Sequence, residues 1–242
     1  MRAYLKTGIA LIITLIVLGF VAFRTRTLFQ GTTFRIESKS APALTASVLE
    51  SFRNYYHQIE RDARAHRLPI ESIFFVEVRP TERECWQWRT EKLTNTGMNP
   101  LTQFERGSGY AVERLIGYYT LEGEPLQLQY KHLPPNPQQP SVTVELPDAL
   151  TPGQTVMVLR VERAPTKLQP NPTGNFSFNF PRLSNTDDVI RASAFCLPAG
   201  KTLSYRPQGG VYESTTGCPL YGWINSRLDD RAPAPFVTFK LP

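Results

Sequence analysis

Residues 73–93 read IFFVEVRPTERECWQWRTEKL, and the period of their pattern is two. Ile73–Val78 (IFFVEV) and Cys85–Leu93 (CWQWRTEKL) are rich in β-branched and aromatic residues. In the second run Trp86 and Trp88 share one face while Gln87 and Arg89 take the other, so two strands are expected here. Upstream the period changes. From Ala43 to Leu68, the residues Leu44, Val48, Phe52, Tyr55, Ile59 and Ala63 recur every three or four positions, which is the spacing of one helix face. Glu50, Arg53, Glu60, Arg61, Arg64 and Arg67 fall on the other faces, and Pro69 ends the helix. Such a stripe is read as a packing face against the rest of its own domain.

Downstream the short apolar runs continue through Tyr110–Thr120, Leu126–Tyr130, Ser141–Leu146 and Thr155–Glu162. They resume at Phe176–Phe180, Val189–Cys196, Thr202–Tyr205, Val211–Ser214, Tyr221–Asn225 and Phe236–Leu241. Turn clusters such as EGEP, PPNPQQP, TPGQ, QPNPTG, PAGK and PQGG separate them. The chain carries 21 prolines against 15 glycines, and proline is tolerated at turns and strand ends but not inside helices. No alternation of strand and helix points to a parallel sheet. About a dozen short strands at close spacing predict a mainly β fold, an antiparallel β-sandwich preceded by one amphipathic helix.

The N-terminus has a separate character. Gly8–Phe23 reads GIALIITLIVLGFVAF without a charge, and as a helix would span about 24 Å of a ~30 Å hydrocarbon core. Arg2 and Lys6 precede it and Arg24 and Arg26 follow, and snorkelling side chains make up the difference in length. A cleaved signal peptide is the competing reading, although RTRTLFQG follows the segment where a small-x-small cleavage site would be expected. The organisation expected is a head at 1–7, a transmembrane anchor at 8–23, a stalk at 24–42, the amphipathic helix at 43–69 and the β-sandwich at 70–242. A short charged head before a large folded tail favours a cytoplasmic N-terminus and a single-pass protein whose C-terminal domain lies outside the cytoplasm, although the flanking charges do not decide it.

The net charge of +6 belongs largely to those flanks. Without Arg2, Lys6, Arg24 and Arg26 the chain has 23 basic and 21 acidic residues. Membrane lipids are therefore the expected partner of the basic excess, and nucleic acid is not expected.

Reactive side chains are few. His57, His66 and His132 lack the spacing of a metal site. Ser108 in RGSGYAV lacks a nucleophile elbow, and Asp187-Asp188 and Asp229-Asp230 lack the alternating ligands of a calcium loop. Asn175-Phe-Ser177 matches a glycosylation sequon by pattern alone. No catalytic residue, metal or cofactor is expected. Cys196 and Cys218 lie in one C-terminal strand cluster; a disulfide between them is allowed in an oxidising compartment and would contribute roughly 3 kcal/mol. Cys85 is expected to be buried beside Trp86 or Trp88. Trp86, Trp88, Tyr110, Tyr118, Tyr119 and Trp223 admit a glycan-stacking role, with a packed core as the plainer reading.

Two passages resemble a known domain. SVTVELPDALTPGQTVMVLRVERAP (141–165) and VIRASAFCLPAGKTLSYRPQGG (189–210) are similar in turn motifs to the N-terminal β-domain of aminopeptidase-N-like proteins and to related membrane-anchored bacterial surface sandwiches. The resemblance implies a large two-sheet sandwich. The HExxH motif of the catalytic domain is missing from the chain, so no peptidase activity is carried over. The function expected is a non-enzymatic envelope module that binds envelope proteins or cell-wall glycan. A membrane-bound sensor is the alternative, followed by a hydrolase with an unrecognised site.

Overall fold

The computed structural model describes residues 35–39, 41–106, 114–132, 141–180, 189–198, 201–206, 210–215, 217–225 and 234–242. The head, the apolar segment at 8–23, its flanking Arg2, Lys6, Arg24 and Arg26, and the first part of the stalk lie outside these residues. So do Ser108, Tyr110 and the Asp187-Asp188 and Asp229-Asp230 pairs. Among the described residues no helix is long and apolar enough to cross a membrane.

The chain is mainly β with one helix among the described residues. In order it forms β1 (Arg35–Lys39), α1 (Ala46–His66), β2 (Ile70–Arg79), β3 (Glu84–Thr94), β4 (Leu101–Arg106), β5 (Leu115–Tyr119), β6 (Leu128–His132) and β7 (Ser141–Leu150). Then follow β8 (Thr155–Arg163), β9 (Phe176–Asn179), β10 (Ile190–Cys196), β11 (Lys201–Arg206), β12 (Gly210–Ser214), β13 (Leu220–Asn225) and β14 (Phe236–Lys240). A seven-stranded sheet in the order β12-β13-β10-β2-β3-β8-β5 forms the middle layer. A four-stranded sheet, β1-β6-β7-β4, and a three-stranded sheet, β11-β14-β9, complete the set.

Alternation along the strands explains the layers. On β2, Ile73 and Phe75 pack with the helix, whereas Phe74, Val76 and Val78 pack with Phe176, Val237 and Phe239 of the three-stranded sheet. On β8, Leu159 and Val161 face the helix, and Val158 packs with Phe104, Leu128 and Val144 of the four-stranded sheet. The central sheet thus has α1 on one face and two smaller sheets side by side on the other. The reason for two covers is a polar strip. On the far face of β3, apolar Cys85 and Leu93 flank Gln87, Arg89 and Glu91. Glu91 accepts from Arg160 at 3.2 Å and from Arg106 at 3.1 Å, and Arg160 also pairs with Glu162. Charged groups resist burial under an apolar layer, so the far face is covered in two pieces.

Two expectations are corrected. The strands are not wholly antiparallel: β2 and β10 run parallel, from Ile70 opposite Ile190 to Glu77 opposite Cys196. All other described strand pairs are antiparallel. The chain leaves β2 across β3, β8 and β5 and returns through the three-stranded sheet, so β10 enters alongside β2 in the same direction. Residues 35–39 and 41–42, expected in the stalk, belong instead to the fold. Residues 35–39 pair with β6 as an edge strand, Ala41 is buried, and the Pro42 carbonyl accepts the Tyr119 hydroxyl at 2.8 Å. An edge strand is held by backbone bonds and needs no apolar alternation, so RIESK gave no signal.

The helix is close to the expectation but shorter at both ends. Its buried residues are Val48, Ser51, Phe52, Tyr55, Ile59 and Ala63. It stops before Pro69 because Arg67 takes the left-handed conformation at φ 54°, and the Leu68 amide bonds back to Ala63 at 3.0 Å. The helix contacts β2, β10 and β13 and so lies over the parallel seam. Tyr55, fully buried, shares its hydroxyl proton between the carbonyls of Ser193 at 2.7 Å and Trp223 at 2.9 Å, residues opposite each other in β10 and β13. Gly222 leaves room for the ring, since a Cβ there would stand 2.4 Å from Tyr55 Cε2. Tyr55→Phe is expected to lose about 1–3 kcal/mol in urea unfolding by stranding those carbonyls, and Gly222→Ala to lose a similar amount, about 1–3 kcal/mol, by overpacking.

Candidate functional site

A concavity lies where β8 outlasts its neighbour. β8 is 9 residues long and β5 is 5. β5 pairs only with Leu159–Glu162 of β8. At Thr120 the chain turns away: the Gly123 amide bonds the Thr120 carbonyl at 3.1 Å, and Leu126 bonds back to Tyr118 at 2.8 Å. Thr155–Val158 are therefore paired with β3 on one side and open to a groove of about 750 Å³ on the other. The size suits a ligand or a short segment of chain.

One wall of the groove is the β5–β6 turn with Leu121, Glu122 and Leu126, joined by Tyr56 from α1; the other is the end of β7 with Leu146, Pro147, Asp148 and Leu150. Asn95, buried at the end of β3, anchors that second wall. Its side-chain amide donates to the Leu150 carbonyl at 2.7 Å, and its backbone bonds Gln154 and Gly153 across the β7–β8 turn at 2.9 and 2.8 Å. A smaller hollow of about 240 Å³ continues along α1 past Phe52, Arg53, His57 and Glu60, sharing Tyr56, Leu121 and Glu122 with the groove. The carboxylates of Glu122 and Asp148 are exposed at the rim, and among the described residues no Lys or Arg lines the groove.

A second polar cluster lies under the start of the helix. Glu77 is buried on the helix side of β2, accepts the Trp88 indole N–H at 3.0 Å and pairs with Arg79 at 2.7 Å. The Arg79 guanidinium lies 3.4 Å from the Trp86 ring centroid and reaches Thr45 just before α1 at 3.4 Å. Burial pushes the Glu77 carboxyl above its ordinary value, and the charge and hydrogen bond of Arg79 only partly oppose this. Trp88 is fully buried over this cluster, so the group serves the packing and is closed to ligand.

The residues singled out from sequence fall as follows. Cys196 and Cys218 come together at disulfide-bonding distance, with Cα atoms 6.0 Å apart. The Cys218 amide donates to Ser51 Oγ at 2.7 Å, so the pair sits against α1. Cys85 is buried as expected but not beside the tryptophans. Strand alternation puts it on the far face among Phe74, Val76 and Phe195, while Trp86 and Trp88 face the helix. Burial pushes its thiol up to about 12. His57 and His66 are exposed on α1, and no cluster of three metal-ligating side chains occurs among the described residues. Trp86, Trp88, Tyr118, Tyr119 and Trp223 are all buried, which removes them as glycan-stacking platforms. The groove itself carries no motif. The one trace it left in the sequence is the long TVMVLRVE run following the TPGQ turn.

Glu77 gives a pH dependence whose sign can be checked. A carboxyl raised in the folded state takes up its proton before the unfolded chain does. Relative to Glu77→Gln, the wild-type protein is expected to gain stability as pH falls from 7 through the raised pKa. The gain levels off below the unfolded value near ~4.3, with a slope of at most about 1.4 kcal/mol per pH unit. Urea titrations of both proteins from neutral to mildly acidic pH check this, and a flat difference would contradict the burial argument.

No family model matches the chain and no curated protein matches it. Among solved structures it is similar to a two-domain M1 zinc metallopeptidase, in a substituted form bound to L-tryptophan. The identity is 13% and the TM-score 0.32, over 71% of this chain and 42% of that one. A likeness of this size carries no argument about activity.

Proposed function

We propose that this protein is a single-pass, membrane-anchored binding module whose β domain works outside the cytoplasm and engages other proteins of the cell envelope. The groove beside Thr155–Val158 is the observation that carries the reading: it combines an open strand edge, apolar walls and an acidic rim. The uncharged run at 8–23 and its basic flanks support the anchor. The nearness of Cys196 and Cys218 supports an oxidising compartment. In this reading the pair is bonded and fastens the β12–β13 connection to the end of β10, while Cys85 stays a buried thiol.

Three measurements test this. A photo-crosslinking amino acid in place of Met157, in intact cells, is expected to trap an envelope protein that the same probe at exposed Lys167 does not trap. Equal labelling at both sites would remove the groove as the binding surface, and digestion of a C-terminal tag only after lysis would place the domain in the cytoplasm and overturn the proposal. Protein taken from its native compartment is expected to show one cysteine reactive on unfolding without reductant and three with it. Three without reductant would remove the disulfide, and with it a stabilisation of roughly 3 kcal/mol.

A further inference from the structure

We infer that the groove receives an extended, cationic polypeptide segment of a partner protein, which adds to the central sheet as a strand along Thr155–Val158. The inference rests on the groove being a binding surface and names what occupies it. The seven-stranded sheet ends at β5, but β5 covers only the second half of β8. Along Thr155–Val158 the β3 side is paired, and no described strand pairs with the other side. Every second residue of a strand turns its N–H and C=O toward the same edge. This stretch therefore offers ladder groups to the groove over about 13 Å at ~3.3 Å per residue. Such an edge selects for backbone in extended form, because only another strand satisfies the ladder in register.

The walls specify the side chains. Val156 and Val158 turn toward the four-stranded sheet and pack with its core, whereas Leu159 and Val161, one residue out of phase, face the helix. An added strand would alternate in the same way. One set of its side chains would meet Leu146 and Leu150, and the other would meet Leu121 and Tyr56. The rim sets the charge. Glu122 and Asp148 are exposed, neither forms an ion pair with a described residue, and no described basic side chain lines the groove. Charges of one sign in an apolar-walled cleft attract the opposite sign and speed its arrival. A segment alternating Lys or Arg with β-branched residues fits both demands.

The test uses the full-length protein in detergent and four fluorescent hexapeptides: Lys-Val-Lys-Val-Lys-Val, its Glu-Val counterpart, and two Lys-Val peptides N-methylated at alternate residues, one in each register. The Lys-Val peptide is expected to bind at least about tenfold more tightly than the Glu-Val peptide, and to weaken with added salt. N-methylation on the side that faces β8 is expected to abolish binding. Glu122→Lys with Asp148→Lys is expected to reverse the charge preference, and both sites are exposed, so an unchanged melting curve confirms that the fold is intact. Equal binding of the unmethylated peptide and of both methylated ones would overturn strand addition, and equal binding of the Lys and Glu peptides would overturn the charge assignment. A partner trapped through position 157, together with no binding of any of these peptides, would sink this inference while leaving the groove as a binding surface. Failure at both would remove the surface as well.

Discussion

The tyrosine hydroxyl that bridges β10 and β13 fastens one half of the central sheet to the helix that packs on both halves. The strands β5-β8-β3-β2 form an antiparallel half, as do β10-β13-β12, and the two meet only at the parallel pairing of β2 with β10. Parallel pairing is somewhat weaker per residue than antiparallel and is stable when both faces are covered. Phe52 against Phe75 and Trp88 covers the seam from the helix side, at ring-centroid distances of 5.6 Å each. On the far side Phe74, Phe195 and Phe180 do the same. The groove depends on this arrangement, since Tyr56, its helical wall residue, follows the tyrosine that fixes α1 in place.

How much of this was readable in the chain depends on which physical signal each part leaves. The helix face was plain, because Val48, Phe52, Tyr55, Ile59 and Ala63 must meet the sheet and their spacing records it. The central strands were plain for a related reason: Trp86 and Trp88 take one face and Cys85 the other, although only the fold shows that this separates Cys85 from the tryptophans. What the sequence does not encode locally is direction and order. Nothing in IRASAFC says that it lies beside IFFVEV and parallel to it. β1 left no trace because its contribution is backbone bonding. The polar residues Gln87, Arg89 and Glu91 were visible, but their effect, dividing the far face between two sheets, arises only once Arg160 and Glu162 lie beside them.

The groove belongs to the same class of hidden feature. It is made by a difference in length between two neighbouring strands, β8 and β5, and by a turn at Gly123 that carries the chain away. Each of these is ordinary in isolation. Their sum is an unfilled place in a sheet, walled by side chains that no motif would single out. Aromatic residues, the usual pointers to ligand surfaces, are instead spent on the cores. The acidic rim is likewise invisible to composition, because Glu122 and Asp148 lie 26 positions apart in a chain whose charges nearly balance outside its N-terminus.

The parallel seam also has a consequence for how the chain is made. Residues 70–79 emerge during synthesis well before residues 190–196, and the carbonyls that receive Tyr55 arrive later still, at Ser193 and Trp223. The nascent chain can therefore close β2 on β3 by a local hairpin, yet the other edge of β2 stays bare until more than a hundred further residues have been added. That edge, with Phe74, Phe75 and Val76 behind it, is a sticky template for other chains in the meantime. Contacts so distant in sequence also form slowly. The interval in which this protein is most exposed to misassembly is thus set by topology, and it ends when β10 docks.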